Sequence, residues 1–149
     1  MSIFDVQTPQ ASIGFQFWKL HNQWQKRVSD ILSPYGITHT QFVMMASIAW
    51  FEEQNISPSQ AQVAKLMNLE KMTFSKAVRQ LEKKGLVKRK KSKTDGRVWC
   101  LSLKNKALEI IPLAMQDIEN VDKNIFGALG DHKQTFSKIL LILNKNLSA

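Results

Sequence analysis

The sequence predicts a mainly α-helical chain carrying one small β-hairpin. Three observations carry this. Apolar residues recur at helical spacing through most of the 149 positions. Two boxes of the form Ser/Thr-x-x-Gln stand directly before apolar runs. One pair of short strand-like runs is joined by a turn containing Asp-Gly.

Residues 1 to 11 lack periodicity and include Pro9, so they read as an arm ordered only against a partner. From about Ser12, Ile13, Phe17, Leu20, Trp24, Val28, Ile31 and Leu32 mark one helix face, and Pro34 and Gly36 end it. Thr38 and Gln41 form a capping box for a second helix. Its apolar content is nearly all-round, which predicts a central, buried position. Ser59 and Gln62 repeat the box before a short helix with Val63, Leu66 and Met67. A fourth helix is expected from about Lys71 to Lys84, with Met72, Val78 and Leu81 on its buried side and Gly85 as its stop.

The hairpin follows as "LVKRKK", "SKTDG" and "RVWCLSL". Alternation puts Arg97, Trp99, Leu101 and Leu103 on one face of its second strand, and Val98, Cys100 and Ser102 on the other. A long helix is expected from about Asn105 to about Phe126, kinked at Pro112. After "GALGDHKQ", in which Asp131 and Gln134 resemble an N-terminal cap, Phe136, Ile139, Leu140, Leu143 and Leu147 mark a final amphipathic helix.

Charge gives the function class. Between Lys71 and Arg97 stand eleven basic residues and two acids, Glu82 and Asp95; elsewhere ten basic and ten acidic residues cancel. The whole net charge of +9 is therefore confined to 27 residues. Such localisation is the footprint expected for a polyanion, most often nucleic acid. A scattered solvated face would not concentrate it. A short helix, a turn, a basic helix and a basic hairpin together suggest a winged helix-turn-helix whose second helix enters the major groove.

The segments "GITHTQF", "SQAQVAKLMNLEKMTFSKAVRQLEKKGLVKR" and "DGRVWCLSL" resemble the MarR family of winged-helix transcription regulators. The match runs from Gly36 to Leu103, and "LEKKGLV" with the D-x-R…L-x-L pattern is its most specific part. The resemblance implies a dimer with interlocking first and last helices, and DNA affinity that a small molecule or an oxidant relieves. It places Thr73, Ser75, Lys76 and Arg79 on the recognition helix, Arg97 in the minor groove, and Asp95 as the group orienting Arg97. Lys88, Arg89, Lys90, Lys91 and Lys93 would then hold phosphates without reading sequence.

Four positions depart from the family pattern. Lys104 and Ala107 stand where a Thr and a Gly are common. Glu70 stands where a capping Asp is frequent. Phe74 replaces a small β-branched residue, either as core or as a change in groove fit.

The chain is accordingly expected to be one domain over residues 1–149. Residues 36–103 would form the DNA-binding lobe, and residues 12–33 and 104–149 the dimerisation helices. Long terminal apolar stripes favour a two-fold dimer, which would set two recognition helices about 34 Å apart on a pseudo-palindromic duplex. Trp18, His21, Trp24, Met44, Met45, Ser47, Ile48 and Phe51 are candidates for an effector pocket; the bland reading of such spacing is core. Cys100 reads first as a small buried apolar residue rather than a redox sensor. The family's peroxide sensors carry their cysteine near the start of the chain, which has none here.

His21, His39 and His132 have no ligand cluster at metal spacing, and no catalytic motif is visible, so no cofactor, no metal and no enzyme activity are expected. The longest apolar cluster, Phe42 to Phe51, is too short to span a bilayer. No signal peptide is read at the N-terminus, and a single cysteine suits a reducing cytoplasm. Two other function classes remain open: a nonspecific architectural DNA-binding protein, and an interaction module whose basic face binds an acidic partner.

Overall fold

The computed structural model describes residues 1–148. Six α-helices and one hairpin follow in order: α1 (Ile13–Leu32), α2 (His39–Glu53), α3 (Gln60–Met67), α4 (Lys71–Lys83), β1 (Val87–Lys91), β2 (Trp99–Leu103), α5 (Asn105–Phe126) and α6 (Lys133–Leu147). Short 3-10 turns at Ser33–Tyr35 and Gly127–His132 follow α1 and α5.

Both capping boxes form. The Gln41 backbone N–H donates to Thr38 Oγ1 at 3.2 Å, and the Thr38 N–H donates to Gln41 Oε1 at 3.1 Å. Ser59 and Gln62 repeat the exchange at the start of α3. Each box satisfies donors that the first turn of a helix leaves free. Gly36 and Gly85 adopt φ of +70° and +72°, the left-handed region that lets the chain turn out of a helix.

α2 lies in the middle. Phe42, Met44, Met45 and Ile48 are buried, and they pack with Val28 and Leu32 of α1, Val78 and Leu81 of α4, and Ala107, Ala114 and Ile118 of α5. β1 and β2 pair antiparallel from Val87–Leu103 to Lys91–Trp99. The hairpin is anchored to the α2–α3 loop, where the Leu101 N–H donates to the Pro58 carbonyl at 2.9 Å.

Three expectations need correction. Met72 is 83% exposed, whereas Phe74 is buried. At 100° per residue, Phe74, Ala77, Val78 and Leu81 share one stripe and Met72 stands opposite it. β2 begins at Trp99 rather than Arg97. Arg97 lies in the turn, where the Val98 N–H closes onto the Asp95 carbonyl at 3.0 Å. Asp131 does not cap the last helix; a 3-10 turn runs to His132, and α6 starts at Lys133 with no side-chain cap. The α1 stripe is buried only at its C-terminal end: Ile13, Phe17 and Leu20 are exposed. α5 runs through Pro112 as one helix.

The exposed apolar surface is concentrated in the arm, the first half of α1 and the last helix. Ile3, Phe4, Ile13, Phe17 and Trp18 are all more than 60% exposed. α6 buries none of its residues, and Leu141, Ile142, Leu143 and Leu147 face outward. Among the described residues no helix is long and apolar enough to cross a membrane.

Candidate nucleic-acid interface

α4 is built to show one face. Phe74, Ala77, Val78 and Leu81 are buried, leaving Met72, Lys76, Arg79 and Lys83 outward along the opposite side. Thr73 is exposed on the flank, and Ser75 is half-buried. Asn68 ends α3 at φ 52°, so the chain turns sharply before Glu70 opens α4 in an extended conformation without a side-chain cap.

Two side chains of α2, Gln41 and Glu52, fix this helix and the hairpin. Gln41, only 2% exposed, donates from Nε2 to Gln80 Oε1 of α4 at 3.1 Å. Lys84 Nζ donates both to Gln41 Oε1 and to the Gly36 carbonyl, each at 2.7 Å. At the far end of α2, Glu52 Oε1 accepts the Leu103 N–H at 3.0 Å, holding the base of β2. Sequence reading assigned Gln41 to its capping box alone and missed Gln80, Lys84 and Glu52. Nothing local in the sequence marks these long-range partners.

The hairpin sorts its cations by alternation. Lys88 and Lys90 point to solvent on one face. Lys90 and, more weakly, Lys104 repel the Lys88 ammonium and pull its pKa below the ordinary lysine value. That like-charge strain is relieved when an anion settles between them. Arg89 turns the other way. Its Nε lies 2.8 Å from Glu82 Oε1, and its guanidinium sits 4.9 Å from the centre of the Trp99 ring. Arg89 is thus engaged within the fold, unlike the free phosphate clamp the charge run suggested. Lys91 Nζ lies 5.6 Å from the same ring, and Lys93 is exposed at the turn.

At the tip, Asp95 Oδ1 accepts the Arg97 backbone N–H at 3.0 Å and Arg97 Nε at 3.3 Å. The Arg97 side chain is otherwise free, 92% exposed. Between this tip and the start of α4 lies a cleft of about 510 Å³ lined by Lys71, Phe74, Ser75, Arg97 and Trp99, together with Gln60 of α3 and its cap Ser59. Of the residues expected to meet DNA, this cleft brings together Ser75 and Arg97.

Known proteins resemble this chain in sequence and in fold. The HTH-type transcriptional regulator YdcH of Bacillus subtilis (strain 168) is 32% identical over 120 residues, covering 80% of this chain and 82% of its own. The sequence profile of the MarR family matches residues 37–99, which span α2, α3, α4 and β1 and reach the first residue of β2.

The chain belongs to the MarR family of transcriptional regulators.

Solved MarR-like structures share the fold at low identity. CouR from Rhodococcus jostii RHA1, bound to p-coumaroyl-CoA, superposes with a TM-score of 0.80 at 20% identity, with 96% of each chain covered. MepR of S. aureus, in complex with DNA, gives 0.79 at 17% identity, covering 95% of this chain and 98% of its own.

Of the eight residues named for an effector pocket, five belong to or pack against the core of this MarR chain. Met44, Met45 and Ile48 are fully buried core. The Ser47 hydroxyl is occupied by the Val43 carbonyl at 2.7 Å, and Phe51 packs edge-on to Trp50. Trp18 is exposed near the start of α1. His21 and Trp24 do meet, 6.1 Å apart, and Trp24 contacts His39 at 5.0 Å. Trp24 also donates to Asp122 Oδ1 of α5 at 2.8 Å. Neither the cleft beside the wing nor a second one lined by Gln10, Phe15, Gln16, Lys19, Leu20 and Gln23 includes any of the eight. Cys100 is half-buried in β2, paired to Lys90 and bridged to Ser59. Among the described residues no three His, Cys, Asp or Glu side chains gather to hold a metal.

Proposed function

We propose that this protein is a dimeric, sequence-specific DNA-binding repressor of the cytoplasm, relieved by a small-molecule effector. Residues 36–103 form the reading lobe, and residues 12–33 with 104–149 form the dimerisation helices of a single domain. The observation that carries the reading is the Asp95–Arg97 pair. One exposed cation is held at a hairpin tip beside an outward helix face, within the 27 residues that hold the whole +9 charge. A pre-oriented Arg suits a narrow, strongly negative minor groove.

Thr73, Ser75, Lys76 and Arg79 meet base edges and nearby phosphates in the major groove. Lys88, Lys90, Lys91 and Lys93 neutralise phosphates, while Arg89 acts mainly by shaping the wing around Trp99. The exposed apolar faces of α1 and α6 are what a second copy covers. MepR bound to DNA and CouR bound to an acyl-CoA thioester are the relatives that favour a ligand-relieved DNA binder.

Selection of duplexes from genomic fragments, followed by titration of the best fragment against a scrambled one at physiological salt, tests this. The expected result is a two-fold symmetric site of about 16–20 bp, bound roughly 10³-fold or more above the scrambled duplex. Equal binding of both, abolished alike by salt, would instead mark a nonspecific architectural protein. An absence of duplex binding would favour an acidic protein partner.

A further inference from the structure

Met72 is out of place for a structural residue. It is the second residue of α4 and 83% exposed. Between Gly14 and Ser148 no large apolar side chain is more exposed. Lys76, Arg79 and Lys83 follow it one, two and three turns along the same face. Phe74, Ala77, Val78 and Leu81 already fill the buried side, so Met72 contributes nothing to the core of the lobe.

An apolar side chain at the leading end of a cationic face needs an apolar partner within an anionic one. The major groove offers one apolar group, the C5-methyl of thymine. The N-terminal residues of a recognition helix are those that reach base edges. Methionine is unbranched and adaptable, so it can follow a methyl group without demanding a hydrogen bond. Elsewhere on α4 only the γ-methyl of exposed Thr73 has this chemistry, on a shorter side chain; the other neighbours are a hydroxyl and cations, which serve acceptors and phosphates.

We propose that Met72 is a specificity-determining residue that reads a thymine methyl in each half-site. This rests on the DNA-reading function proposed above and assigns the base it selects. Lys76 lies one turn along the same face from Met72, so the methyl contact and a phosphate or base contact are made together.

The test uses the full chain and a duplex that the protein itself selects from a random-sequence pool. Each symmetric thymine pair is replaced in turn by deoxyuridine, which keeps the pairing and removes only the methyl groups. Wild type is expected to lose about fourfold in affinity per half-site at one such pair, the worth of one buried methyl group. Met72→Ala is expected to bind the thymine and deoxyuridine duplexes equally, and Met72→Leu to restore the preference. A selected site at which no thymine pair is sensitive overturns the Met72 assignment and leaves the regulator reading standing. So does a site at which Met72→Ala remains as sensitive as wild type. Failure to select any sequence overturns both. Met72 is exposed, so its variants retain the fold, and the wild-type deoxyuridine series needs no variant.

Discussion

Lys84 Nζ and Gln41 Oε1 lie 2.7 Å apart, and through this contact the end of α4 is tied to the first turn of α2. Gln41 also accepts from the Thr38 N–H and donates to Gln80, so one side chain serves a helix cap and two residues at the end of the recognition helix. Gln41→Ala leaves these groups without their partner. It is expected to lower the unfolding free energy by about 1–3 kcal/mol, the cost of stranding partly buried polar groups. Urea denaturation measures this; an unchanged midpoint would mean that water replaces the amide fully.

Arg97→Ala is expected to weaken specific binding by about 1–3 kcal/mol, as for the loss of one groove contact. Asp95→Ala should cost less, because the charge remains and only its orientation is lost. The double variant should be no weaker than Arg97→Ala alone. Neither substitution should alter folding stability, since the pair is at the exposed tip. Titration of all three variants against one duplex at fixed salt checks the cycle, and additive losses would show that Asp95 does not act through Arg97.

Lys90→Ala should weaken all duplexes alike and flatten the dependence of log affinity on log salt by about 1. Arg89→Ala should behave differently. Its guanidinium is engaged by Glu82 and Trp99, so the salt slope should hardly move while stability falls by about 1 kcal/mol. Equal salt-slope changes for the two variants would contradict the inward placement of Arg89.

His39 supplies a pH dependence. Burial lowers its pKa below the ordinary 6.5; Asp122 opposes this by raising it, and His21 adds to the lowering. The unfolded chain therefore takes up the proton more readily than the folded one. The stabilising contribution is complete above pH 6.5 and is lost as pH falls below it. Denaturant midpoints at pH 7.5 and 5.5 should differ more for wild type than for His39→Gln. Identical pH profiles would remove His39 from the account.

Much of the fold was legible because its signals are local. Thr38 with Gln41 and Ser59 with Gln62 are complete instructions for two helix starts within four residues each. The recognition helix was half-read. Phe74, Ala77, Val78 and Leu81 already form a stripe at intervals of three and four, and Met72 falls off it; hydrophobicity alone put Met72 inside. The direction of Arg89 depends on register, since only pairing Lys91 with Trp99 brings the indole beneath it. The candidate effector residues show what helical spacing leaves open, since it does not separate a pocket lining from core. Met44 and Met45 are adjacent, so they point about 100° apart around α2 and serve two different contacts within the core. The Gln41–Lys84 and Glu52–Leu103 ties join residues more than forty positions apart, beyond any pattern of spacing.

α6 buries no residue against its own chain, and a helix of 15 residues is marginal in water by itself. Its order is therefore borrowed from whatever covers it, and in the proposed assembly that cover is another copy. Dilution then acts on two properties together. As copies separate, the terminal helices fray, and the fixed distance between two recognition helices ceases to exist. The supply of the protein itself becomes an input to the reading of DNA, alongside any small molecule.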